Sequence, residues 1–154
     1  MQVSELHMDD NALLPSTEQS MFRWLSKWLG KEVEKTLDLV CLEEEGLPPV
    51  LVDKLIDDGF ERRDLSWIIP ARTLTHRKSR GESLSREESS RLIRFLRLLA
   101  LAEVVFDNKE KARAWLYRPL KRFNDRRPFD LIQTEQGEEL AEEALWQIDE
   151  GMLA

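Results

Sequence analysis

Pro70-Ala71-Arg72-Thr73-Leu74-Thr75-His76-Arg77-Lys78-Ser79-Arg80-Gly81 sorts into two faces at helical spacing. Ala71, Leu74 and Lys78 fall on one side. Arg72, Thr73, His76, Arg77 and Arg80 fall on the other, a stripe of cations and short hydrogen-bonding groups without a carboxylate. Arginine can grip phosphates or guanine edges, and threonine and histidine can reach other base edges, so this face suits a nucleic-acid duplex. Upstream, Arg62 to Ile68 is long enough for two helical turns, and Ile69-Pro70 makes a short break. Helix, tight turn and polar helix is the order of a helix-turn-helix, with the second helix as reader.

Charge along the chain agrees with that placement. The 154 residues carry a net −7, which by itself argues against a polyanionic partner. Residues 1–60 hold −8, residues 61–97 hold +5 and residues 98–154 hold −4. A basic middle between acidic ends is a localised electrostatic footprint. At 42% hydrophobic content the chain has enough apolar material for a packed core. The first residues lack the pattern of a signal peptide, and no apolar run reaches the ~20 residues of a membrane span. With Cys41 as the only cysteine, no intrachain disulfide forms, so a cytoplasmic location is expected.

Working outward, residues 1–16 read as a tail. Met21, Trp24, Leu25, Trp28 and Leu29 recur at helical spacing up to Gly30. A second helix is expected over Lys31 to Leu42, with Val33, Leu37 and Val40 inside and Cys41 buried. Gly46-Leu47-Pro48-Pro49 is a break, and a helix follows from Val50 to Asp58, ended by Gly59. Ser85-Arg86-Glu87-Glu88 is a capping box that starts the longest helix, about Arg86 to Phe106, with Leu92, Ile93, Leu96, Leu99, Ala100 and Val104 inside. Arg91, Arg94 and Arg97 line another face, read as solvated or in contact with phosphate. Asn108 and Thr134 are helix caps, Pro128 opens a short turn, and the last helix should bury Leu140, Ala141, Ala144, Leu145 and Ile148. From Leu131 onward there are seven carboxylate side chains and no lysine or arginine.

No catalytic or metal-binding set emerges. Two histidines and one cysteine give no zinc-ligand spacing, and no glycine-rich phosphate loop or nucleophile motif is present. No cofactor is expected.

The pattern Leu47-Pro48-Pro49, Gly59-Phe60, Arg72-Thr73-Leu74, Arg77, Leu84, Glu88-Ser89 and Arg91-Leu92 resembles the Xre-type antitoxins of the RES–Xre toxin–antitoxin family, which are similar to the MbcA and ParS antitoxins. Ala102 to Asp107, Lys111-Ala112, Trp115-Leu116, Pro128 to Leu131, Thr134, Gly137 and Gly151 resemble the family's toxin-binding domain. The sequence departs from the family at Pro70, where serine is usual, at the turn Phe106-Asp107-Asn108, and at Phe123 to Arg127, where a glycine-rich turn is usual. The resemblance implies an all-α protein in three parts. Residues 1–45 are a tail and amphipathic helices, 46–97 a helix-turn-helix DNA-binding region, and 98–154 a small helical toxin-binding domain.

The resemblance further implies neutralisation of a cognate RES-domain toxin that consumes NAD, by blocking its active site, with autoregulation through operator DNA by a homodimer and no membrane association. The reading helix supplies Arg72, Thr73, His76, Arg77 and Arg80 as DNA contacts. Trp146, Asp149, Glu150, Gly151, Met152, Leu153 and Ala154 are expected at the toxin, whose site for a dinucleotide diphosphate should be cationic and complementary to these and neighbouring carboxylates such as Glu142 and Glu143. The competing readings are a helix-turn-helix transcriptional regulator without a toxin, and a protein-binding inhibitor that no longer reads DNA.

Overall fold

The computed structural model describes residues 14–152, and every regular element among them is helical. The readings of residues 1–13 and of Leu153 and Ala154 lie outside the described residues. Helix α1 spans Thr17–Leu29, α2 Thr36–Glu45, α3 Val50–Asp57, α4 Ala71–Arg80, α5 Arg86–Phe106, α6 Lys109–Leu116, α7 Pro128–Leu131 and α8 Glu135–Asp149. Single 3-10 turns occupy Arg62–Leu65 and Lys121–Phe123. None of these helices is long and apolar enough to cross a membrane.

Helix α5 is the axis. It packs against α1, α2, α6 and α8, and its Leu92, Phe95, Leu96, Leu98 and Leu99 are fully enclosed. Each such side chain contributes ~1.5–3 kcal/mol on burial. The sequence explains where α5 starts: Ser85 Oγ accepts the Glu88 N–H at 3.1 Å, and Glu88 Oε1 accepts the Ser85 N–H at 2.8 Å. Asp107 ends it in the left-handed region at φ 48°. Phe95 sits edge-on between Phe60 and Phe129, which joins the middle of the chain to the C-terminal part through one core.

Several expectations are corrected. The second helix starts at Thr36, because the Asp38 carboxylate accepts the N–H groups of Glu34 and Lys35 and fixes a turn there. Its inward residue is Leu39; Leu37 is 60% exposed and Cys41 is exposed. The stretch before α4 is a 3-10 turn rather than two helical turns. Ile68 and Ile69 are both buried there, and Pro70 blocks continuation of a helix. In α8, Gly137, Ala141, Ala144 and Leu145 face inward, so Leu140 is 48% exposed and Ile148 only half-buried. Val104 is half-buried as well.

The two turns that depart from the glycine pattern keep glycine-like backbone. Asp107, Asn124 and Asp125 all have positive φ, which aspartate and asparagine tolerate better than other side chains.

Candidate functional site

Helix α4 is held by its flanks. Leu74 is buried at its centre. Before it, Gly46 (φ 86°) lets the chain pass so close to Leu84 that a β-carbon would meet the Leu84 carbonyl oxygen at 2.6 Å. The adjacent Leu47 then bonds twice: its carbonyl accepts the Leu84 N–H, and its N–H donates to buried Ser89 Oγ, both at 2.9 Å. The Gly46-Leu47 break is thus a strap between the segment preceding α3 and the start of α5.

The arginines of α4 divide into two kinds. Arg77 donates from Nε to Glu88 Oε1 (2.7 Å), from Nη2 to Glu88 Oε2 (3.2 Å) and from Nη1 to Glu82 (3.2 Å), with its side chain only 23% exposed. These carboxylates raise the affinity of Arg77 for its proton, the hydrogen bond to Glu88 most of all. For Glu88 the largest influence is burial, which favours the neutral form. The bonds from Arg77 and Ser85 outweigh it and hold the carboxyl below its ordinary value. On the opposite flank Lys78 pairs with Asp53 at 2.8 Å.

Arg72, His76 and Arg80, at i, i+4 and i+8, are exposed and make no ion pair among the described residues. Thr73 is half-buried beside them. The five expected residues therefore separate. Arg72, His76 and Arg80 form the outward stripe, Thr73 borders it, and Arg77 is turned into the protein. Thr75 and Ser79, not singled out from sequence, lie on the outward arc, each bonded back to its own helix. Nothing within α4 could have separated Arg77 from Arg72, because the carboxylates that claim it come from outside the helix.

Arg91, Arg94 and Arg97 of α5 are latches rather than a solvated or phosphate-binding face. Arg91 Nε donates to the Ile68 carbonyl (3.0 Å), Arg94 reaches Glu138 (3.3 Å), and Arg97 meets Glu142 (2.7 Å). The last two tie α8 to α5. Burial first, and the Glu142 charge second, raise the Glu138 carboxyl to about 7 despite Arg94.

The C-terminal segment presents a different surface. Glu139, Glu143 and Glu150 are exposed and make no ion pair among the described residues, whereas Glu142 is taken by Arg97. Trp146 is half-buried against the core. Asp149 accepts a hydrogen bond from Thr17 Oγ1 at 2.9 Å, which ties the end of α8 to the start of α1. Gly151 (φ 75°) ends the helix, but the chain does not yet depart: Met152 N–H bonds back to the Gln147 carbonyl at 2.9 Å. The Met152 side chain is 65% exposed and borders an open groove of about 430 Å³ with Trp146, Glu143 and Glu150. Acidic groups around exposed Met152 and half-buried Trp146 make a surface complementary in charge to a basic cleft. Among the described residues no group of three or more His, Cys, Asp or Glu is placed to hold a metal ion.

Residues 101–151 match the family described as the antitoxin Xre/MbcA/ParS C-terminal toxin-binding domain. An Antitoxin Xre of Pseudomonas putida is 44% identical over 84 residues, which cover 54% of this chain and 53% of that protein. An Antitoxin Xre of Yersinia enterocolitica is 39% identical over 70 residues, 45% of this chain and 47% of the relative. The chain thus spans about half the length of these two relatives. With an Antitoxin Xre of Photorhabdus laumondii the likeness is 32% over 103 residues, 64% of this chain and 70% of that protein. On that coverage, joined to the all-α architecture, the chain belongs to the Xre antitoxin family.

Proposed function

We propose that the protein is the antitoxin of a two-component toxin–antitoxin system, a regulatory protein rather than an enzyme. Its target is a RES-domain toxin that consumes NAD, and it acts by covering the toxin's active site. The observation that carries this reading is the outward face of α8 and the turn after it. Glu139, Glu143 and Glu150, within the segment that matches a toxin-binding domain, share a groove with Trp146 and with Met152 just beyond it. A cleft that binds a dinucleotide diphosphate is cationic, so this surface complements it and speeds encounter. Trp146, Asp149, Glu150, Gly151 and Met152, continued by Leu153 and Ala154, are the residues assigned to the contact. Asp149 acts by holding α8 against α1, and the others face the toxin.

The same chain represses its own operon through residues 46–97. Arg72, His76 and Arg80 enter the major groove with Thr73 at the edge, and Arg77 fixes the helix that presents them. A homodimer places two copies of α4 about one helical turn of DNA apart, reading a palindromic operator. Co-expression with the product of the neighbouring gene tests the toxin half. The reading expects the two proteins to co-elute and the toxin's NAD consumption to be suppressed. A transcriptional regulator without a toxin would purify alone and leave NAD consumption untouched.

A further inference from the structure

The C-terminal region is acidic as a whole but carries one basic segment. Residues 118–130 hold five arginines and lysines against two aspartates, a net +3, which leaves −7 for the rest of residues 98–154. Arg127 is spent on Asp130 through two bonds, at 2.7 and 2.9 Å. Arg118, Lys121, Arg122 and Arg126 are all exposed and make no ion pair among the described residues. Asp125 is the single carboxylate left within the segment.

The fold draws these four cations together. The Leu120 N–H donates to the Arg126 carbonyl at 3.1 Å, and the Asp125 N–H donates to the Leu120 carbonyl at 3.0 Å, so the turn closes on itself. Asn124 and Asp125 supply the left-handed backbone it requires, at φ 55° and 63°. Phe123 is buried and anchors it. Like charges gathered on one closed turn repel one another and attract a polyanion. Because the backbone is already ordered, a partner meets it without a further loss of loop freedom.

The turn's attachment selects the partner. At its base the Tyr117 hydroxyl donates to Asp64 at 3.3 Å, within the 3-10 turn Arg62–Leu65 that leads to α4. Arg62 is exposed there and also makes no ion pair among the described residues. The basic turn is thus fastened to the segment that delivers α4. None of its cations borders the acidic groove at the end of α8.

We infer that residues 118–126 are a second contact on duplex DNA, with Arg118, Lys121, Arg122 and Arg126 taking backbone phosphates beside the groove that α4 enters. The inference rests on the DNA-binding reading above and gives part of the toxin-binding segment a share in it. Phosphate contacts carry no sequence information, so the turn supplies affinity while α4 discriminates.

The test measures fluorescence anisotropy of the full chain on two duplexes, a fragment of its own promoter and a scrambled one of equal length, across a salt series. Replacing Lys121, Arg122 and Arg126 together by glutamine should weaken both duplexes alike, by on the order of 10²-fold at 0.1 M salt, and reduce the salt slope by about two to three. All three side chains are exposed, so the melting temperature should hold. Should it fall, the three single variants carry the test, each reducing the slope by about one. The same change of charge at exposed Arg23, Lys27 and Lys31 is the control, and it should leave the slope near the native value. A native slope in the turn variant, or an equal loss in the control, overturns the inference. So does a turn variant that binds both duplexes normally but no longer co-elutes with the toxin, which would assign the turn to an acidic protein. Arg72→Ala keeps the two readings apart: it should remove the preference for the promoter fragment and leave the turn's share of the salt slope intact. A native chain that binds neither duplex overturns both readings, whereas a failure confined to the turn variant overturns this one alone.

Discussion

Replacing Glu88 with alanine tests the way α4 is held. Glu88 does three things at once: it closes the capping box at Ser85, it takes Arg77 through both oxygens, and it is 7% exposed while doing so. Loss of the reciprocal cap and of charge-assisted bonds at a nearly buried acceptor should cost ~2–4 kcal/mol. For a domain of this length that is about 4–15 °C in melting temperature. The cost should depend on pH with a definite sign. The folded carboxyl is held below its ordinary value of 4.5. Its contribution is therefore fully present above pH 4.5 and fades as pH falls through the lower folded value. Thermal unfolding of native and Glu88→Ala chains by circular dichroism, from neutral to acid pH, gives both numbers. Duplex affinity should fall as well, since Arg77 is released and α4 loses its seat. A variant that melts within a degree of the native chain at neutral pH would refute the clamp.

Three further outcomes follow from the same geometry. Arg72→Ala should leave the melting temperature unchanged yet cost ~1–3 kcal/mol in operator binding with relaxed specificity, while Arg80→Ala weakens all sequences alike and reduces the salt slope by about one; fluorescence anisotropy across a salt series separates them. Glu138→Gln should stabilise the protein at pH 8 by ~1–3 kcal/mol relative to its effect at pH 4. The sign is set because the native carboxyl is raised from 4.5 to about 7, so the native chain loses stability as pH rises through that window. Denaturant melts at the two pH values read it. Gly137→Ala should cost ~2–4 kcal/mol, because the new β-carbon collides with the Leu131 carbonyl oxygen, and calorimetry should show a lowered melting temperature.

Local chemistry was legible in the sequence where a single segment carried it. The Ser85–Glu88 capping box, the Asn108 and Thr134 caps and the span of α5 follow from spacing alone, and the structure has them. What failed to show was pairing between segments. Arg77 sits on the same sequence stripe as Arg72, but Glu88 and Glu82 claim it from beyond Gly81. Arg94 and Arg97 looked like a free basic face until α8 brought Glu138 and Glu142 against them. Leu140 and Leu37 illustrate a second limit. Each belongs to a helix with apolar residues on more than one side, and only the packed neighbours decide which side is buried. At Arg62–Leu65 the two consecutive buried isoleucines and Pro70 override a stretch long enough for a helix.

The central claim is that the end of α8 and the residues after it cover the toxin's active site. Its most direct measurement is NAD consumption by the cognate toxin titrated with the full chain and with a chain truncated after Ile148. The truncated protein loses the Thr17–Asp149 hydrogen bond and the Gly151–Met152 turn but, among the described residues, no buried core residue. It should therefore fold and still bind operator DNA. The account predicts stoichiometric inhibition by the full chain and none by the truncated one. Equal inhibition by both would contradict it and move the contact elsewhere in the C-terminal region, with Trp115 the first position to test.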